Sequence, residues 1–224
     1  PADAPRWAVF EGCIARAYEG PAQAALVRLF AAAGVALDWP AGQGCCGTAA
    51  AHAGDLAGAT SLADANRRAF AHADRVLTLA SGCHDALAQA LSAGAPVEDA
   101  LAALERLAGH LRFRDAGGRR VALHLPCSQR AVVRSDGALR RLLARVPGLD
   151  LVDLPDTGCC GAAGLHQMLE PGRAIALRAP LDAALAASGA GELLSANIGC
   201  RLHLAGGTTM PVRHPLEFLA EHLE

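Results

Sequence analysis

The sequence predicts an α/β fold built as two tandem copies of one parallel-sheet βαβ unit, and three observations carry that expectation. Short apolar runs of strand length alternate with longer helical segments, the pattern of parallel βαβ units. The eight cysteines fall into two matching sets. Cys13 to Cys45 and Cys127 to Cys159 span the same 32 positions, while Cys46 to Cys83 and Cys160 to Cys200 span 37 and 40. A repeat of this kind outranks any single-residue reading. Between the copies lies "RDAGGRR", Arg114–Arg120, polar and glycine-rich as a linker would be. The first unit is therefore expected at residues 1–115 and the second at 116–224.

The first copy opens with a strand at Trp7–Phe10. Pro21 suits a first helical position and Gly34 a helix stop, so a helix is expected between them. Val35–Trp39 reads as a strand, Thr48–Ala73 as helices, Arg75–Ala80 as a strand and Asp85–Leu111 as helices. The second copy repeats the order: strand Arg120–Leu125, helix Gly137–Arg145, strand Leu149–Leu154, helices Ala162–Ala187 and strand Glu192–Asn197. "MPVRH" (Met210–His214) and a last helix close it. In this scheme every cysteine follows the carboxyl end of a strand, at the crevice where open parallel sheets bind ligands. Four thiols from three loops would then converge at one rim of each half.

Composition narrows the function. The 224 residues carry a formal net charge of −2, and only 4% are aromatic. Neither a basic footprint nor stacking platforms for nucleic acid are present, so no nucleic-acid partner is expected. No apolar run approaches the ~20 residues of a membrane-spanning helix, and the start lacks the charged and apolar regions of a secretory signal. A cytoplasmic location follows, with attachment to the inner face of a membrane through partners left open. The chain does not begin with Met, which suggests a fragment or a processed chain. In a reducing compartment clustered cysteines are metal ligands or redox thiols more often than disulfides.

Three readings of the thiols compete. Isolated cysteines are commonly small core residues, but core packing does not demand the same residue at strand ends in both halves. Four thiolates can hold a structural zinc; adjacent side chains diverge, however, so Cys45–Cys46 or Cys159–Cys160 would strain to reach one small ion, and zinc is left open for one half. An iron–sulfur cluster spreads several irons over a few ångströms, so neighbouring thiolates can bind different irons. The glycine after each pair, Gly47 and Gly161, permits an unusual backbone angle, and N–H groups there can donate to sulfur. The cluster reading is favoured.

These residues resemble the cysteine-rich "CCG" domain found in heterodisulfide reductase and in the glycolate oxidase iron–sulfur subunit. "FEGC", "GCCGTAAAHAG", "LASGC", "LPCSQ", "GCCGAAGLHQMLEP", "NIGC" and "PVRHPLEFL" look like the glycolate oxidase branch, in that order, over nearly the whole chain. The lactate-utilisation iron–sulfur protein is similar in its doubled domain. The resemblance implies one ligand set of Cys13, Cys45, Cys46 and Cys83, and another of Cys127, Cys159, Cys160 and Cys200, for clusters of the 4Fe–4S type. Two departures stand out. Where the family commonly closes its motif with a further cysteine, this chain has Ala86 and His203. A five-thiolate cluster is thereby in doubt, and His203 becomes a tentative ligand. The ferredoxin-like domain that normally precedes the glycolate oxidase subunit is missing, which again suggests a C-terminal fragment.

The implied role is an electron-transfer subunit of a flavin-dependent glycolate or 2-hydroxy acid oxidase. Its partners would be a flavoprotein that oxidises substrate and an acceptor such as a quinone. The rival roles are a lactate-utilisation protein, a thiol–disulfide redox subunit and a zinc-stabilised binding module. No flavin or nicotinamide fingerprint is present, and no catalytic residue is assigned. His52 and His166 follow the two CCG turns at equivalent places and are expected to support the ligands. His84 and His203 lie near Cys83 and Cys200, and His124 reads as packing. His72, His110, His214 and His222 read as surface or helix-end residues.

Overall fold

A computed structural model describes residues 6–224; the first five residues of the expected first unit lie outside the described residues. Strand β1 (Trp7–Phe10) is followed by α1 (Cys13–Tyr18), α2 (Gly20–Ala32), β2 (Leu37–Asp38), α3 (Thr48–His52), α4 (Leu56–Ala69), β3 (Arg75–Thr78), α5 (Ser81–Ala90), β4 (Val97–Asp99) and α6 (Ala100–Arg106). The second half runs β5 (Arg120–Leu123), a π-helical turn (Gln129–Val133), α7 (Asp136–Leu143), β6 (Asp150–Asp153), α8 (His166–Leu169), α9 (Pro171–Ala187), β7 (Leu193–Leu194), α10 (Ile198–Ala205), β8 (Val212–Arg213) and α11 (Pro215–His222).

The two sheets have the same topology. Each has four parallel strands, ordered β2-β1-β3-β4 and β6-β5-β7-β8. The expected α/β fold of two tandem parallel-sheet units is thus the observed one. The strand after Pro96 corrects the expectation of helices alone over Asp85–Leu111. Proline removes a backbone donor and fixes φ, so the chain leaves α5, turns, and runs extended through β4 before Asp99 caps α6. Helix α1, which opens at Cys13, is a further element that the sequence pattern does not predict.

Apolar strands buried on both faces form the centre of each sheet, as parallel packing requires. Val9, Val76, Leu77, Val121 and Leu123 are all at most 1% exposed. One apolar cluster joins the halves: Leu26, Leu29 and Phe30 of α2 share it with Leu216, Phe218 and Leu219 of α11. Helix α11 is amphipathic and begins with a capping box in which the His214 ring accepts the Leu216 N–H, while Glu217 accepts the His214 N–H. His214 and His222 do stand at the ends of this helix, but they are buried rather than on the surface. The His214 Nε2 donates to the Leu79 carbonyl of the first half at 3.2 Å.

Candidate metal centre

Three neighbouring strands, β2, β1 and β3, deliver the first set of thiols from the loops at their carboxyl ends. Cys13 opens α1 and is exposed, Cys45 and Cys46 lie in the loop before α3, and Cys83 sits in the first turn of α5. Two polar side chains pin the CCG loop. The Gln43 amide accepts the Glu11 N–H at 2.8 Å and donates to the Val9 carbonyl at 3.1 Å, tying the loop to the end of β1. Asn66 of α4, wholly buried, accepts the Gly44 N–H and donates to the Cys45 carbonyl, both at 2.9 Å. Gly47 then turns the chain at φ 86°, which only glycine adopts freely. Its N–H donates to the Cys45 sulfur at 3.5 Å. The sulfurs form a string: Cys13 to Cys45 at 3.5 Å, Cys45 against Cys46, and Cys46 against Cys83. The Cys46 Sγ also meets the Thr48 hydroxyl at 3.3 Å.

The second set is built the same way. Cys127 follows β5, Cys159 and Cys160 follow β6, and Cys200 lies in α10 after β7. Gly161 turns at φ 94°, and its N–H donates to the Cys159 sulfur at 3.3 Å. Cys127 touches Cys159, Cys159 touches Cys160, and Cys160 touches Cys200. Cys160 and Cys200 are buried, whereas Cys127 is exposed like its counterpart Cys13.

Crowding sets the proton chemistry. Burial, then the neighbouring Cys45, pushes the Cys13 thiol up; contact with Cys46, then burial, pushes Cys45 up strongly. At Cys46 the Cys45 contact favours the thiolate, but Cys83 and burial outweigh it and the pKa rises. Cys127 rises through burial and the charge of Cys159. In the second half the contact between Cys160 and Cys200 pulls the pair apart: it lowers Cys160 to about 7, while the same contact, then burial, raises Cys200. Each string of thiols is thus short of positive charge, the condition a bound metal relieves as it displaces protons.

Among the described residues no group of three or more His, Cys, Asp or Glu side chains is gathered so as to hold a metal ion as it stands. Within each set the sulfurs are in contact pair by pair. An all-thiolate donor set strung in this way fits an iron–sulfur cluster, which takes its ligands on different irons.

The histidines divide. His166 donates from Nδ1 to the Gly161 carbonyl at 3.1 Å and so braces the second CCG turn. His52 is exposed at the end of α3. His203 is buried, and its Nε2 donates to the Ala174 carbonyl at 3.1 Å. His84 Nδ1 pairs with the Thr78 hydroxyl at 3.0 Å, and buried His124 pairs with the Ser195 hydroxyl at 2.9 Å. His72 and His110 are exposed. Ala86 packs beside Cys46 and Cys83 in the first half's apolar cluster.

Matching elements of the two sites meet at two crossings. Helix α1, starting at Cys13, packs on α10, which carries Cys200; the π-helical turn after Cys127 packs on α5, which carries Cys83. At the second crossing Ser81 and Ser128 share a hydroxyl hydrogen bond of 2.8 Å. At the first, Arg201 pairs with Glu19. Reading the sequence does not single out Gln43, Asn66, Glu19 or Arg201. Gln43 and Arg201 each lie within two residues of a cysteine, a usable signal. For Asn66 the signal is a polar side chain on the buried face of α4.

Relatives extend the picture. The glycolate oxidase iron-sulfur subunit of Escherichia coli is 30% identical over 96% of this chain and 58% of its own. The probable glycolate oxidase iron-sulfur subunit of Bacillus subtilis is 29% identical over 90% of this chain and 50% of its own. Lactate utilization protein A of Geobacillus kaustophilus is 28% identical over 94% of this chain and 97% of its own. The chain therefore spans only 58% and 50% of the length of the two glycolate oxidase relatives. The cysteine-rich domain family, CCG, matches residues 7–88 and again 121–205. Each match takes in the three thiol-bearing loops of one sheet, and the chain belongs to that family.

Proposed function

We propose that this chain is the iron–sulfur subunit of an oxidoreductase and relays electrons from a flavoprotein that oxidises glycolate or another 2-hydroxy acid. Cys13, Cys45, Cys46 and Cys83 would hold one cluster of the 4Fe–4S type, and Cys127, Cys159, Cys160 and Cys200 the other. The observation that carries this reading is the string of four touching sulfurs at the rim of three neighbouring parallel strands, repeated in both halves. A bound cluster supplies one-electron exchange. The chain's own part is to present the thiolates and to shield them. Gly47 and Gly161 aim backbone N–H groups at sulfur, which favours the more negative, reduced state. Cys46, Cys160 and Cys200 are buried, while Cys13 and Cys127 leave one exposed edge in each half for electrons to cross. His166 steadies the second turn; His52 is proposed in the same supporting role at the first, and His203, whose Nε2 is held by the Ala174 carbonyl, as a support rather than the ligand its place in the motif suggested. No helix among the described residues is long and apolar enough to cross a membrane; a partner is proposed to carry the electrons on to a quinone or other acceptor.

A second reading has its own support. A relative matched over nearly its full length is a lactate utilization protein, and the donor would then be a lactate-oxidising flavoprotein. Anaerobic purification with iron, acid-labile sulfide and zinc analysis, followed by electron paramagnetic resonance (EPR), tests the common core. Iron and sulfide in cluster ratio are expected. Zinc without labile sulfide refutes the proposal. Reduction by a glycolate-oxidising or a lactate-oxidising flavoprotein then separates the two readings.

A further inference from the structure

The contact between α1 and α10 holds the one ion pair, among the described residues, in which both side chains are almost wholly inaccessible. Glu19, at the end of α1, has a fully buried side chain, and that of Arg201 is 6% exposed. One arm of the guanidinium meets Glu19 Oε1; the other faces Glu217 Oε1 at 3.6 Å, and Arg213 Nε stands 3.8 Å from Glu217 Oε2. Glu19 Oε2 has no hydrogen-bond partner among the described residues. A pair so dry contributes little net stability, because desolvation offsets the attraction. Its position is more telling than its strength. Arg201 directly follows Cys200, and Glu19 ends the helix that Cys13 begins. The equivalent crossing between α5 and the π-helical turn uses the neutral Ser81–Ser128 pair, and the residue after Cys83 is His84, bonded to Thr78. A buried fixed cation therefore stands next to the second thiol set and has no counterpart after Cys83.

We propose that Glu19 and Arg201 are positioning residues that lock the Cys13 helix to the Cys200 helix and set the reduction potential of the second thiol-bound centre through their opposed charges. This rests on the cluster reading above. A fixed charge in a dry interior is poorly screened, so a cation beside the centre favours the electron-rich state and an anion disfavours it.

The test is an EPR-monitored redox titration of the full chain as the wild type, Glu19→Gln, Arg201→Gln and the double variant. One of the two signals should move downward in Arg201→Gln, by about a tenfold change in the reduced-to-oxidised ratio, or about 59 mV for a one-electron couple. The same signal should move upward in Glu19→Gln and lie between the two in the double variant, with the other signal moving less. Arg201→Gln strands a buried carboxylate and can fail to fold. In that event the step from Glu19→Gln to the double variant, where two amides face each other, reports loss of the guanidinium alone. Shifts in the same direction for both single variants, as mere loosening of the helices would give, overturn the inference, and so do unmoved potentials in loaded protein. A chain that binds no iron and sulfide overturns the cluster reading instead.

Discussion

Replacing Gly161 by alanine should cost clearly more than the same change at Gly47, although the two residues hold matching places in the repeat. Both sit at positive φ, 94° and 86°, where an L-residue pays roughly 1–2 kcal/mol. Their surroundings differ. A Cβ at Gly47 would approach the Ala59 carbonyl oxygen at 3.4 Å, a contact that small adjustments absorb. A Cβ at Gly161 would lie 3.0 Å from the Ala174 Cα and carbonyl carbon and closer still to the carbonyl oxygen. That backbone belongs to α9, and Ala174 is wholly buried. Overpacking of this kind adds about 1–3 kcal/mol, which gives roughly 2–5 kcal/mol for Gly161→Ala against roughly 1–2 for Gly47→Ala. In a chain of this size each kcal/mol lowers Tm by about 2–4 °C. Urea and thermal unfolding of the reduced, metal-free protein measure the difference without interference from ligand binding. Equal losses, or a larger one at Gly47, would refute the claim that the second CCG turn is pressed against its helix.

Two further substitutions probe the scaffold. Asn66→Ala strands the Gly44 N–H and the Cys45 carbonyl together, which should cost roughly 2–4 kcal/mol and lower iron content by about half as the first set loses its loop; unchanged urea midpoints would contradict that role. Asp99 is buried, and burial, against the opposing hydrogen bonds from Ala102, Ser135 and Leu101, raises its pKa from 3.8 to about 6. The folded chain therefore binds this proton more tightly than the unfolded one, and stability falls as pH rises from ~4 to ~6, by about 3 kcal/mol in all. Asp99→Asn keeps an acceptor for the Leu101 and Ala102 N–H groups and should erase that slope in the wild-type-minus-variant difference, leaving the variant at least as stable at pH 7. A persisting slope would show that Asp99 is not its source.

What the residues reveal unaided depends on range. The repeat, the parallel βαβ order and the gathering of cysteines at strand ends are written in spacing and hydrophobic pattern, and these are local signals. Strand β4 is not legible because its three residues, Val97–Asp99, stand between two good helical segments. Its identity comes from pairing with β3, which places Val76 against Val97. The Glu19–Arg201 pair joins residues 182 positions apart, and nothing in either neighbourhood announces the other. His214 and His222 read as surface residues because helix ends usually are exposed; here α11 lies against α2, so its ends are covered as well. Spacing and resemblance group the thiols into sets, whereas the order of contact within each set comes only from geometry.

The sharing of one core has a consequence for the paired sites. Were the halves two beads on a linker, the distance between the thiol sets would follow the linker's freedom. Instead Phe30 of the first half and Phe218 of the second are both completely buried in one cluster, and the chain's end returns to the first half where Phe113 bridges Leu223. Separating the sheets would expose this apolar surface together with the Glu19–Arg201 pair, so the folded state resists hinge motion along the seam. The two thiol strings are therefore held at a separation set by core packing. The electron transfer proposed between two centres would need a fixed distance of this kind, and the seam holds the two thiol sets from both sides, through α1 on α10 and through α5 on the π-helical turn. The asymmetry then lies in chemistry rather than in geometry: a buried ion pair at one crossing and a pair of hydroxyls at the other. Duplication accounts for the common frame, and under the proposal above the difference between the crossings would let two otherwise matching sites hold electrons with different affinity.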